Sequence, residues 1–325
     1  MPSSTSPPNA TITLVRAGAV TFHGLLTAWQ TDPLALTALT ITLSAGVVYL
    51  VGMRRLAHVK GRCWPRWRAA VFLAGLAVIV VAVNSGLASY DDTDFAAHVV
   101  QHLLLMSAAP PLLALGAPVT LALQAAPRRA KTPLLKILHS PPLRLLHSPG
   151  VPVVVLLGTM YGYFLTPLYP YSLVHPLFHD LTHLGFLAAG CVYWWPIVGA
   201  DPLPGRLGYP ARLGLLVPPI PFDAFLGIAI MTMGRPIAPQ NSLGDTHAGG
   251  AILWGFGELF TFAALAVIFV QWAAADERRQ AREDRRLDAL RLDAAPAPAG
   301  PRPSAHRRSP AMDAITLGPD GRERS

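Results

Sequence analysis

The sequence predicts an all-α, polytopic membrane fold: a bundle of seven transmembrane helices with its N-terminus outside and its C-terminus inside. Three observations carry this. Of 325 residues, 52% are hydrophobic and only 14% are charged, where a soluble chain carries about 25% charge. Apolar runs of bilayer-crossing length recur along the chain. Lysine and arginine are shared unevenly between alternate loops, which sets orientation.

In order, the spans are 33–53, 69–88, 96–121, 151–169, 177–199, 211–233 and 249–273. Each can cross a hydrocarbon core of ~30 Å at 1.5 Å per residue, the fourth only marginally. Span three carries Pro110 and Pro111, and span six carries Pro218, Pro219 and Pro221. Both should kink there and free backbone carbonyls for neighbouring helices or water to satisfy. The run Trp194-Trp195-Pro196 closes span five and reads as an aromatic interface anchor.

The loop after span one holds Arg54, Arg55, Lys60, Arg62, Arg66 and Arg68. The loop after span three holds Arg128, Arg129, Lys131, Lys136 and Arg144, and the loop after span five holds Arg206 and Arg212. The other side has only Arg16 and Arg235, against Asp91, Asp92 and Asp94. Thirteen basic residues against two place the first side in the cytoplasm.

Three regions follow. Residues 1–30 form an extracytoplasmic N-terminal segment, in which Arg16 interrupts any cleavable signal pattern. Residues 31–275 form the seven-helix domain, and 276–325 form a charged cytoplasmic tail. That tail extends span seven as a helix through 276–293 and is disordered beyond. Cys63 and Cys191 fall in different segments and form no CxxC, which excludes a disulfide framework or thiolate zinc finger. The net charge of +8 sits in short loops and the tail. This fits contact with the lipid bilayer and not nucleic acid.

The chemistry lies in two HxxxH pairs, His98/His102 and His179/His183, at the outer ends of spans three and five. Ionisable groups inside a membrane are costly and mark functional sites by default. An i, i+4 pair aims two imidazoles from one helix face, about 6 Å apart along its axis. Met106 lies one turn deeper than His102, and Asp245 and His247 open span seven on the same side. Imidazole with thioether points to Cu(I); zinc remains open through imidazole and Asp245. Asp91, Asp92 and Asp94 complement the positive start of span three or form an acidic funnel for cations. Asp223 and Glu258 lie inside spans six and seven as relays or hydrogen-bond acceptors, and Cys191 as a buried thiol or soft-metal contact.

Four stretches carry a family resemblance: Trp29-Gln30-Thr31-Asp32-Pro33, HVVQHLLL with PPLLALGAP over 98–118, HDLTHLGFLAAGCVYWWPIVGADP over 179–202, and DTHAGGAILW over 245–254. In this order the chain resembles the CtaG-type cytochrome c oxidase assembly factors of the caa-type branch. The resemblance implies a multi-pass protein of the bacterial plasma membrane, without enzymatic activity, that serves maturation of a haem–copper oxidase. It implies haem–copper oxidase core subunits as partners, an extracytoplasmic copper donor, and His98, His102, His179, His183 and Asp245 as the functional set. Three other classes remain open from the residues: a zinc-dependent membrane hydrolase using Asp245 or Asp180, a haem or quinone carrier ligated by His102 and His183, and a copper permease using Glu258 and Cys191.

Overall fold

The computed structural model describes residues 28–148, 150–203 and 206–294, and every regular element among them is helical. Asp32 opens the first helix. Its carboxylate accepts from the N–H groups of Leu34 and Ala35 at 2.9 and 3.0 Å, and Pro33 suits the first turn because its missing donor is not needed there. Helix α1 then runs Pro33–Lys60 and ends at the left-handed Gly61. It packs on α2 (Arg66–Asn84), which leads into the short α3 (Gly86–Tyr90). Tyr49 of α1 stacks on Phe72 of α2 with centroids 4.0 Å apart, and donates its hydroxyl to the Gly116 carbonyl at 2.8 Å.

A continuous apolar rod, Phe95–Ala125, comes next. It comprises α4 (Phe95–Leu103), a π-helical turn (Leu104–Ala108), α5 (Ala109–Leu115) and α6 (Pro118–Ala125). The wide turn has a local cause. Pro110 and Pro111 have no N–H, so neither can donate to the Met106 carbonyl, while the Ala109 N–H reaches five residues back to Leu104. Two connecting helices follow, α7 (Arg128–Leu138) and α8 (Pro141–Leu146), and then α9 (Val151–Phe164) and α10 (Leu168–Ser172). The chain continues through α11 (Pro176–Val198), α12 (Tyr209–Leu216), α13 (Pro219–Met231) and α14 (Leu243–Ala294).

Among the described residues, six helices are long and apolar enough to cross a membrane: Pro33–Lys60, Arg66–Tyr90, Phe95–Ala125, Pro176–Val198, Tyr209–Met231 and Leu243–Asp288. The protein is a multi-pass membrane protein. The fourth expected span, 151–169, is instead a 14-residue helix, α9, a break at Leu165–Pro167, and the separate α10. At about 21 Å, α9 is shorter than the ~30 Å core. Pro167 and Pro170, neither of which can donate to a helical ladder, prevent the longer continuous run.

The distribution of side chains suits a lipid solvent. Ile41, Val48, Val154, Phe269 and Val270 are exposed, whereas His98, Gln101, His102, Asp223 and Glu258 are buried. Trp194, expected to anchor the interface, lies in the core instead. It is 3% exposed and donates its indole N–H to the Met106 carbonyl at 3.1 Å, the acceptor left free by the proline pair. Its neighbour Tyr193 donates to the Leu215 carbonyl at 3.2 Å, which Pro218 and Pro219 leave without helical donors. Two adjacent aromatic residues thus satisfy the proline breaks of two other helices, as burial in lipid demands.

The chain divides into two compact units, Met1–Ala273 and Ala274–Ser325. In the second, the described residues are helical through Ala294, so the helical extension expected over 276–293 is present. The disorder expected beyond it, and all but Ala28, Trp29 and Gln30 of the N-terminal segment, lie outside the described residues.

Candidate metal centre

The start of α4 is fixed by two carboxylates. Asp94 accepts from the Ala97 N–H at 2.8 Å. Asp245, reaching over from the first turn of α14, accepts from Phe95 and Ala96 at 2.7 and 2.9 Å. Three successive N–H groups that a helix leaves unpaired are thereby satisfied. One turn along α14, Gly249 lets the helices close: a Cβ there would meet Cδ1 of Phe95 at 2.3 Å. From this seat α4 projects His98 and His102 inward, both buried, into an aromatic box that includes Tyr163, Phe164, Tyr169 and Phe186.

The second pair arrives on α11. Gly190 brings that helix against the π turn, because any Cβ at this position would lie 2.4 Å from the Met106 carbonyl oxygen. His179 and His183 then face the first pair. Ring centroids are 5.2 Å apart for His98–His179, 5.4 Å for His102–His183 and 4.7 Å for His179–His183. The Nε2 atoms of His98 and His102 are 2.7 Å apart, a hydrogen bond that requires one ring to donate and the other to accept. The Tyr163 hydroxyl lies 3.2 Å from His98 Nε2 and 2.8 Å from Ser172 Oγ.

Asp91 completes the group. Its Oδ2 lies 3.8 Å from His179 Nε2 and 3.7 Å from His183 Nε2. Asp91, His98 and His179 are all buried, and one ligand atom from each falls within 4.8 Å of the others. Burial pushes the Asp91 carboxyl up to about 7 against the opposing influence of His179. Asp92 Oδ1 accepts from His179 Nδ1 at 3.1 Å. That bond fixes the tautomer and leaves the Nε2 lone pair facing Asp91, the carboxylate–imidazole arrangement that orients metal-ligating histidines.

The residues fit a metal ion. His98 Nδ1, His102 Nδ1, His179 Nε2 and both nitrogens of His183 are buried without a hydrogen-bond partner. Unmet polar atoms of this kind require an explanation, and a cation beside Asp91 would supply one to the Nε2 atoms of His179 and His183, at 3.8 and 3.7 Å from Asp91 Oδ2. Beside them a cavity of about 500 Å³ is lined by Asp32, Asp91, Asp92, His179, Asp180 and His183. It carries four carboxylates, so a positive ion would be drawn to it.

The structure brings His98, His102, His179 and His183 together and treats the remaining candidates differently. Asp245 is occupied as the helix cap described above, with Asn241 Nδ2 at 3.4 Å. His247 Nε2 donates to the Met233 carbonyl at 2.9 Å and ties α14 to the end of α13. Met106 is buried in the π turn, directly beyond the imidazoles. Of the three acids, Asp91 and Asp92 join the histidines, while Asp94 caps α4. Asp91 and Tyr163 are the site residues that the HxxxH pattern could not single out. Asp91 had a signal in its cluster, but Tyr163, on a featureless apolar helix, had none.

A family model described as cytochrome c oxidase caa3 assembly factor (Caa3_CtaG) matches residues 47–275. Uncharacterised proteins of Mycobacterium bovis and Mycobacterium tuberculosis are each 34% identical over 287 residues, which is 83% of this chain and 43% of theirs. One from Mycobacterium leprae is 34% identical over 281 residues, covering 81% of this chain and 42% of its own. The chain therefore spans less than half the length of these curated relatives. No solved structure matches it.

Proposed function

The chain belongs to the family of cytochrome c oxidase caa3 assembly factors, and from that membership we propose that it binds copper at its outer leaflet and passes it to haem–copper oxidase core subunits. The observation that carries this reading is the convergence of four buried imidazoles and Asp91, with five ring nitrogens unpaired. A fourth crossing through the Val151–Ser172 segment, in which α9 alone is too short, would make seven and put these groups outside and the basic loops inside. The charge bias of thirteen to two supports that topology.

The ligand chemistry suits a carrier. Imidazole is accepted by copper in both oxidation states, and donors on separate helices can be exchanged one at a time with those of an acceptor. The acidic cavity offers the route from an extracytoplasmic donor. His179, held by Asp92, is the ligand best placed to meet the incoming ion. No bond in a substrate is broken in this role, which is that of an assembly factor and not an enzyme.

Zinc is the second reading, because two imidazoles and one carboxylate form a known catalytic zinc set. The discriminating measurement is metal content of the detergent-purified protein after Cu(I) or Zn(II) loading, beside a His102→Ala/His183→Ala double variant. Copper retained by the wild type, with one ion fewer held by the variant, supports delivery. Zinc alone, together with hydrolysis that disappears in Asp91→Asn, would replace that reading with a membrane hydrolase.

A further inference from the structure

Inward of the imidazoles, the bundle buries two carboxylates for which the outer site has no use. Asp223 on α13 and Glu258 on α14 are 8% and 7% exposed. Asp223 Oδ1 and both carboxylate oxygens of Glu258 have no hydrogen-bond partner, and neither residue forms an ion pair among those of the described residues. Unpaired acids at such positions in a membrane bundle are costly and call for a compensating charge.

A small space beside Asp223 is lined by residue types that bind a soft ion. The cavity, of about 10 Å³, is lined by Ser107, Met106, Met160, Tyr193, Asp223 and Thr261. That volume holds a single water-sized occupant. Met106 and Met160, from the π turn and α9, are almost fully buried and line the same cavity as Asp223. Glu258 lies one helical turn from Thr261 on α14. A trapped water would serve the hydroxyls and the carboxylate, but it would not use two thioethers. A soft cation uses both, and its charge is balanced by the buried acid.

We propose that this cavity is a second, deeper cation site, in which the sulfur atoms of Met106 and Met160 and the carboxylate of Asp223 hold a soft monovalent ion of the Cu(I) class. Met106 follows His102 by one turn on the same rod, so an ion leaving the imidazoles would meet the thioethers next. The site uses none of the four histidines and therefore stands or falls separately from the outer one.

The test is anaerobic Cu(I) titration of the full-length, detergent-purified protein against a chromophoric chelator, with X-ray absorption at the copper edge. The wild type should hold two copper ions per chain, with sulfur in the averaged ligand shell. Met160→Leu, nearly isosteric and expected to fold, should lose one ion and the sulfur signal, and Asp223→Asn should weaken the same ion tenfold or more. The His102→Ala/His183→Ala variant should keep the sulfur-ligated ion; loss of the outer ion alone would report on the imidazole site. A wild-type spectrum without sulfur would overturn the proposal. So would a folded Met160→Leu protein, judged by unchanged helical circular dichroism, with the copper count and ligand shell of the wild type.

Discussion

Trp194 donates its indole N–H to the carbonyl oxygen of Met106, the acceptor that Pro110 and Pro111 leave without a helical donor. This bond joins α11 to the π turn at the inner edge of the imidazole cluster. It therefore links the two helices that carry the two histidine pairs. Trp194→Phe keeps most of the buried ring but strands that carbonyl, a loss of about 1–3 kcal/mol. The variant should unfold at lower temperature in detergent, and Tyr193→Phe should do the same by stranding the Leu215 carbonyl. Unchanged melting in both would show that water satisfies the two acceptors.

Close approach of the same helices rests on Gly190. Gly190→Ala would put a methyl group 2.4 Å from the Met106 oxygen and 2.7 Å from Cγ of Pro110. Neither neighbour is the end of a flexible chain, so α11 must move outward, at a cost of about 1–3 kcal/mol. Separation of the histidine pairs should also weaken copper binding. Gly185→Ala on the same helix, where nothing lies within 4 Å, is the control and should leave both stability and copper affinity alone. Equal behaviour of the two variants in a thermal melt and a copper titration would contradict this packing role.

The helices and the HxxxH pairs were legible in the sequence because they are local: an apolar run and an i, i+4 spacing need no partner to be read. Proline-released carbonyls were legible too, but not their donors. Tyr193 and Trp194 reach across to other helices, and a tryptophan near the end of a span looks the same whether it faces headgroups or a neighbour. Asp91 and Asp245 show the same limit from opposite directions. Both are acids beside membrane spans, yet one turns toward the imidazoles and the other onto the N-terminus of α4, a choice made by contacts 150 residues apart in the case of Asp245. The break at Leu165–Pro167 could have been read from Pro167 and Pro170, which mark the end of α9 more clearly than hydropathy marks its length.

Burial of Asp91 has a consequence for stability. Its folded carboxyl is pushed up to about 7 from an ordinary value of 3.8, so the folded protein holds this proton where the unfolded chain has released it. The sign follows from linkage: the contribution is full below about pH 4 and is lost progressively as pH rises through 7. Asp91→Asn cannot ionise and should remove that decline. In metal-free protein the melting temperature of the wild type should fall, relative to that of the variant, between pH 5 and pH 8. Parallel profiles would show that Asp91 is ionised and well solvated in the folded state.

Asp92 and His247 make opposite predictions for metal affinity. Asp92 accepts from His179 Nδ1 and so presents Nε2 to the site, and loss of such an orienting partner typically costs 10–100-fold in metal affinity. Asp92→Ala should weaken copper binding by that order while stability changes little, since the Asp92 side chain is 62% exposed. His247 already uses Nε2 on the Met233 carbonyl, which ties α14 to the end of α13. His247→Ala should therefore leave copper stoichiometry and affinity unchanged and lower thermal stability modestly, by about 1 kcal/mol for one lost hydrogen bond. Competition titration of the two variants decides the matter. Loss of a copper ion in His247→Ala, with Asp92→Ala unaffected, would move the centre toward the start of α14 and make Asp245, not Asp91, its carboxylate.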